Sequence, residues 1–316
     1  MQRWVQGLAI FSLMAAITPA WAQGPACDRA CLYGILDQYL HALRAHDPSA
    51  APLAPHVRTS ENNVALKPGD GLWGTITGLT GYDLRFADPR DGGVGFYGVA
   101  QESDTAAPFA LRLRVRDGRI IEAETLIARP QEAGVPFVNG TLTTVPILNA
   151  EVPPAERDSR AQMIRLANGY FDTLQRNDGT LHTRFAPTCN RREDGFQTTN
   201  HPNSGFGDIT ALGCAAQFKL GWYRYDDRLR ARRFLVLDEA RGLIMAAGFI
   251  DHAGLFGDYK LTDGRTAKNA LFRHPHTYCL LETFKIQGGK IQQVEAVFTS
   301  VPYRMPSPWG GTPDTP

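Results

Sequence analysis

Cys31-Leu32-Tyr33-Gly34-Ile35-Leu36-Asp37-Gln38-Tyr39-Leu40-His41-Ala42-Leu43 and Met163-Ile164-Arg165-Leu166-Ala167-Asn168-Gly169-Tyr170-Phe171-Asp172-Thr173-Leu174 read as two versions of one helix. In the first, Leu32, Ile35, Leu36, Tyr39, Leu40 and Leu43 recur at three and four positions, which builds a single apolar stripe. Each helix carries a tyrosine, and each half of the chain closes on a glycine-turned strand pair. The closing stretches are Asp117-Gly118-Arg119-Ile120-Ile121-Glu122-Ala123-Glu124-Thr125 and Gly288-Gly289-Lys290-Ile291-Gln292-Gln293-Val294-Glu295-Ala296. Repetition on this scale means two copies of a whole domain rather than a solenoid, whose units are much shorter.

Between these landmarks the apolar period shifts towards two. Residues 83–86, 94–99, 109–115 and 120–128 read as strands, the last two a hairpin over Asp117-Gly118. The stretch 53–63 reads as a turn or short helix followed by loop, and Phe185-Ala186-Pro187 echoes Leu53-Ala54-Pro55. In the second copy 222–225, 232–238, 243–251, 278–286 and 291–300 read as strands, with inserted loops at 198–213 and 252–275. Residues 131–153 hold Pro, Gly, Asn and Thr with few charges and read as a linker. The expected organisation is a signal peptide at 1–22, a first domain at 23–130, the linker, a second domain at 154–301 and an extended tail at 302–316. Helices followed by runs of antiparallel strands give an α+β class.

The 316 residues are 43% hydrophobic and 21% charged, with a formal net charge of +1. That balance argues against nucleic acid or an acidic membrane as the main partner, since both need a positive field. Arg3, the short apolar run 5–17 and Ala20-Trp21-Ala22 fit a cleaved export signal. No other apolar run approaches the length of a membrane span, so no anchor is expected and the mature chain is expected to be periplasmic or secreted. Export permits disulfides. Of the five cysteines, Cys189 and Cys214 share a loop-rich segment and are the expected pair; Cys27 and Cys31 lie a helical turn apart, with their bridging left open, and Cys279 reads as a buried thiol.

The opening helices with Tyr39 and Tyr170-Phe171, the Phe185-Ala186-Pro187 element and the closing strands 282–286 and 289–296 resemble a tandem of nuclear-transport-factor-2-like domains of the SnoaL-like kind. The resemblance covers about 270 residues. It implies two cone-shaped domains, each with helices packed on a curved antiparallel sheet around an apolar pocket. It also implies either cofactor-free isomerases, dehydratases and lyases or plain binding modules, a choice the fold does not make. A diarylpropane-type lyase that releases formaldehyde is one such activity. The first domain is expected to pack its sheet on the second, a dimer-like arrangement within one chain, and a homodimer of chains is also compatible with the family.

The second copy, longer and richer in His and aromatic residues, is the place to seek chemistry. His252 and His276 are the candidate bases. Glu282 and Asp251 are the candidate acid or orienting partners, and Tyr170 or Tyr223 the donor to a developing oxygen. Consecutive strand residues face opposite ways, so Asp251 cannot orient His252 merely by adjacency. Tyr278, Leu280, Glu282 and Phe284 share one face, and if that face is apolar the Glu282 carboxyl is held protonated by desolvation. Glu193, Trp222, Tyr223, Phe249 and His274 are candidate substrate-binding residues, with at most one of Trp222 and Tyr223 lining a pocket directly. His274-Pro275-His276 is too few ligands for zinc, and no metal is expected. No G-x-G-x-x-G, Walker or G-x-S-x-G pattern occurs, so no cofactor and no serine nucleophile are expected. The leading expectation is an exported, cofactor-independent lyase, dehydratase or isomerase acting on a small, largely apolar, aromatic molecule. A non-enzymatic ligand-binding or interaction protein is the alternative.

Overall fold

The computed structural model describes Met1 and residues 27–130, 136–255, 257–268 and 273–310. The segment read as a signal peptide lies outside the described residues apart from Met1. The first half runs α1 (Arg29–Arg44), β1 (Leu53–Glu61), β2 (Val64–Ala65), α2 (Leu72–Thr75), β3 (Gly78–Asp88), β4 (Gly93–Glu102), β5 (Thr105–Arg116) and β6 (Arg119–Ile127), and the short α3 (Pro146–Asn149) follows. The second half runs α4 (Arg160–Arg176), β7 (Phe185–Glu193), β8 (Phe196–Gln197), α5 (Cys214–Lys219), β9 (Arg228–Asp238), β10 (Leu243–His252), the small hairpin β11 (Tyr259–Lys260) and β12 (Thr266–Ala267), then β13 (His276–Gln287) and β14 (Lys290–Val301).

The two halves have the same sheet order, β2-β1-β6-β5-β4-β3 and β8-β7-β14-β13-β10-β9. Each is antiparallel except at one seam, where β1 runs parallel to β6 and β7 parallel to β14. The class is α+β, two tandem cone-like domains with few helices. The stretches 53–61 and 185–193 are strands and not the turn, helix or loop their prolines suggest. Proline donates no ladder hydrogen bond and is confined to edges and irregularities. Pro55 and Pro187 sit inside the register breaks of β1–β6 and β7–β14, where no ladder bond is required. Conversely, 222–225, read as a strand, is a turn.

Each sheet buries one face under its own helix and the other against the opposite sheet. Tyr39, Leu36 and Leu43 of α1 pack on Phe96, Phe109 and Leu111; Tyr170, Phe171 and Leu174 of α4 pack on Leu280 and Phe284. Between the sheets Phe86, Tyr97 and Val99 meet Met245, Phe249 and Leu281. The halves grip each other reciprocally. Arg29, first residue of α1, pairs with Asp238 at the end of β9 (2.8 Å), and Arg160, first residue of α4, pairs with Asp88 at the end of β3 (2.7 Å). This is the isologous exchange expected of a two-fold dimer, made within one chain. Both outer sheet faces are thereby covered, so any pairing of two chains must use other surfaces. The tail crosses to the first half, where the Trp309 indole donates to Ser60 Oγ at 2.9 Å.

Cys189–Cys214 is bridged, as expected, and so is Cys27–Cys31; Cys279 is free and buried. Among the described residues no helix is long and apolar enough to cross a membrane. The two disulfides are compatible with export.

Candidate active site in the second domain

The α4-side face of the second sheet opens into a cavity of about 180 Å³. A water needs only about 10–15 Å³ on the same measure, so there is room for a small organic molecule. The equivalent space of the first domain is about 20 Å³, roughly one water. Its tyrosine, Tyr39, meets Trp73 edge-on at 5.2 Å, and its Glu61 accepts from the Leu72 amide and pairs with Arg129.

Strand register fixes the polar groups. Glu282 on β13 lies opposite Ala296 on β14, and Ala296 lies opposite Glu193 on β7. Neighbouring strands are about 4.8 Å apart, so the Glu282 and Glu193 Cα atoms are separated by about 9.5 Å across a floor of one methyl group. Both side chains line the cavity. Arg191, two residues before Glu193 and therefore on the same face, pairs with Glu193 at 2.6 Å. Its other arm donates to Gln217 Oε1 (3.0 Å) and Tyr223 Oη (2.9 Å), while its guanidinium lies over the Phe218 ring at 5.1 Å. Burial, with Glu193 nearby, pushes the Glu282 carboxyl up to about 8; Arg191 and the Tyr170 hydroxyl, which hydrogen-bonds Glu282, offset this only in part. At neutral pH Glu282 is therefore a neutral acid beside an ion pair.

A second polar group stands at the far end. His252 Nε2 is 3.1 Å from Asp226 Oδ1, both side chains buried. Burial holds the Asp226 carboxyl well above the carboxylate range and the His252 imidazole down at about 3. Both shifts favour the uncharged forms, a carboxyl and an imidazole in contact. His252 lies opposite His276, six residues along β10 from Ala246, which lies opposite Glu282. Six strand residues span roughly 20 Å.

Tyr170, Glu193, Trp222, Tyr223, His252 and Glu282 line this one cavity. Trp222 and Tyr223 both do so, against the expectation of one, because they lie in a turn. His252 and Glu282 are not brought together as base and acid. Asp251 does not serve His252. It faces the other way, into Arg228, Arg230 and Thr277, whose hydrogen bonds hold its carboxyl below the usual range. Phe249 also points away, into the contact between the sheets. His276 stacks behind His252 with ring centres 4.5 Å apart but does not line the cavity, and neither does the exposed His274, whose carbonyl accepts from His276. Sequence reasoning missed Arg191, Asp226 and Gln217. Arg191 fell in a segment read as loop; Asp226 has only the doublet Asp226-Asp227 as a signal. Among the described residues no group of three or more His, Cys, Asp or Glu is placed to hold a metal.

A family described as a domain of unknown function (DUF8021) matches residues 156–298, the second copy. Similar solved structures include an NTF-2-like protein of unknown function from Burkholderia xenovorans LB400 (12% identity over 33% of this chain and 88% of that one, TM-score 0.27). Others are a steroid delta-isomerase from Pseudomonas aeruginosa (15%, 32% and 81%, TM-score 0.27) and a putative ketosteroid isomerase from Kribbella flavida (16%, 37% and 91%, TM-score 0.28). No curated protein matches the chain.

Two consequences follow for stability. The 189–214 bridge ties β7, which carries Arg191, to α5, which carries Gln217. Its replacement by Cys189→Ser/Cys214→Ser is expected to cost about 3 kcal/mol, the loop-closure value for a loop of this length, read as a lower denaturation midpoint that reductant, left with only the short Cys27–Cys31 loop to open, shifts less than in the parent. Glu282 is raised from 4.5 to about 8. A raised carboxyl contributes stability that is fully present below 4.5 and is lost as pH rises towards 8, because the unfolded chain gives up its proton first. The urea midpoint is expected to fall between pH 5 and 8, and Glu282→Gln, which cannot ionise, should flatten that fall.

Proposed function

We propose that the second domain catalyses cofactor-free proton transfer on a small, largely apolar, aromatic molecule carrying a carbonyl or hydroxyl oxygen. The observation that carries this reading is the alignment of Glu193, Ala296 and Glu282 across three adjacent strands. One carboxyl group is ion-paired and the other is neutral, on strands whose Cα atoms at these positions are about 9.5 Å apart. Paired carboxyl groups held in opposite protonation states suit acid–base work. Glu193 takes a proton from the carbon next to the carbonyl. Glu282, backed by Tyr170, donates a hydrogen bond to the oxygen as charge builds on it, in a cavity where such a bond is worth more than in water. Returning the proton elsewhere gives isomerisation, and loss of hydroxide as water from the neighbouring carbon gives dehydration; if Glu193 instead takes the proton of a hydroxymethyl oxygen, the C–C bond breaks, its electron pair passes to the remaining conjugated carbon and formaldehyde is released, the diarylpropane-type lyase case. Arg191 orients Glu193 while being held by Gln217 and Tyr223. The first domain has Leu111 at the register position of Glu282, beside Thr125 and Glu61, and serves as a structural partner. The two disulfides and the N-terminal sequence support action outside the cytoplasm.

The test is solvent exchange. Aromatic ketones incubated with the mature protein in D₂O should gain deuterium at the carbon next to the carbonyl, read by mass spectrometry. The rate should fall above about pH 8 as Glu282 loses its proton. No exchange with any ketone, alongside measurable binding, would favour the binding-protein alternative.

A further inference from the structure

His252 stands six strand residues, roughly 20 Å of β10, from the position paired with Glu282, and Asp226, whose carboxyl lies within reach of the Glu193 and Arg191 charges, joins it on the wall of the same cavity. Between the two ends the walls are apolar: Leu280, Ile250, Phe298, Leu174 and the Trp222 ring. We propose that the pocket takes an elongated ligand, an apolar ring system two or three rings long with an oxygen at each end, and that Asp226–His252 reads a hydroxyl on the end remote from Glu282. This deepens the proton-transfer reading and rests on it for which end reacts.

Three observations bear on the chemistry of that remote group. Asp226 and His252 are among the most buried polar side chains, 6% and 1% exposed, and both line the cavity instead of turning into the core. Burying such groups costs free energy that a ligand's hydrogen bonds can return. A carboxyl and an imidazole 3.1 Å apart on the cavity wall together offer a donor and an acceptor, which matches a hydroxyl. A carboxylate or phosphate is disfavoured, because among the described residues the groups beside His252 (Asp226, Tyr225, Tyr278) carry no cation and Arg191 is already paired with Glu193. The ring of His252 is held edge-on to Tyr278 at 4.9 Å and against Tyr225 at 5.4 Å, with His276 behind it. It is therefore set in one orientation before any ligand arrives.

Affinity for acetophenone, 4-acetylbiphenyl, 4-acetyl-4′-hydroxybiphenyl and its 4′-methoxy analogue, measured by calorimetry on the mature protein, decides the matter. The second ring should tighten binding. The 4′-hydroxyl should add about tenfold, the effect of one good hydrogen bond in a dry site, and the methoxy group, which cannot donate, should lose that gain. In His252→Phe and Asp226→Leu, checked for folding by circular dichroism, the ratio of hydroxy- to unsubstituted-biphenyl affinity should drop below about twofold. A hydroxyl advantage that is absent in the wild type, equal in the methoxy compound, or unchanged in a folded variant overturns the proposal. So does a failure of all four compounds to bind. Should neither variant fold, the wild-type hydroxy–methoxy comparison alone decides. Deuterium uptake by the acetyl group is scored separately. Hydroxyl discrimination without uptake refutes proton transfer while leaving the elongated site standing.

Discussion

Glu193→Gln is expected to lower deuterium exchange by roughly 10²–10⁴-fold, the usual loss when a positioned general base is removed. The amide keeps the shape of the side chain and can still contact Arg191, so the cavity should survive and ligand affinity should change little by comparison. Glu282→Gln tests the other half of the pair and should behave differently. Its amide still donates a hydrogen bond towards the substrate oxygen, so part of the rate should remain, but the loss of rate above about pH 8 should disappear with the titrating group. If the two variants lose rate equally and keep the same pH profile, the division of roles between base and donor is wrong.

The second large effect concerns the contact between the sheets. Arg192, the neighbour of Arg191, points to the opposite face and is buried against Glu295, with N–O distances of 2.8 and 3.0 Å. It also donates to the Tyr82 hydroxyl (2.5 Å) and the Thr143 carbonyl (2.7 Å). Even so paired, burial pushes the Glu295 carboxyl up to about 7. Arg192→Ala would leave Glu295 and Tyr82 buried without their cation and is expected to cost about 3–5 kcal/mol, the usual result of breaking a buried pair from one side. The double change Arg192→Met/Glu295→Leu removes both charges and should recover most of that loss. Chemical denaturation of the two variants checks both statements. A single variant as stable as the parent would mean that water reaches Glu295.

The helices and hairpins were legible because their signals are local: an apolar stripe at three and four, or two alternating runs over a glycine turn. The α+β class and the duplication followed from those alone. β1 and β7 were not legible, because Pro55 and Pro187 mimic a break and because their parallel partners β6 and β14 lie far along the chain. The site was half legible for the same reason. Alternation placed Glu282 on one face with Tyr278, Leu280 and Phe284, without deciding whether that face is buried, and separated Asp251 from His252. It could not supply Asp226, which reaches His252 from a turn before β9, nor set Glu193 beside Glu282, which requires the parallel pairing of β7 with β14.

The reciprocal grip of Arg29 on Asp238 and Arg160 on Asp88 has a consequence for how the protein endures dispersal. Two separate subunits joined by such a contact come apart once their concentration falls below the dissociation constant. Here both halves belong to one polypeptide, and each faces its counterpart at an effective concentration fixed by the connecting segment and not by the surroundings. A molecule released into a large volume would keep its sheet-on-sheet contact at any dilution.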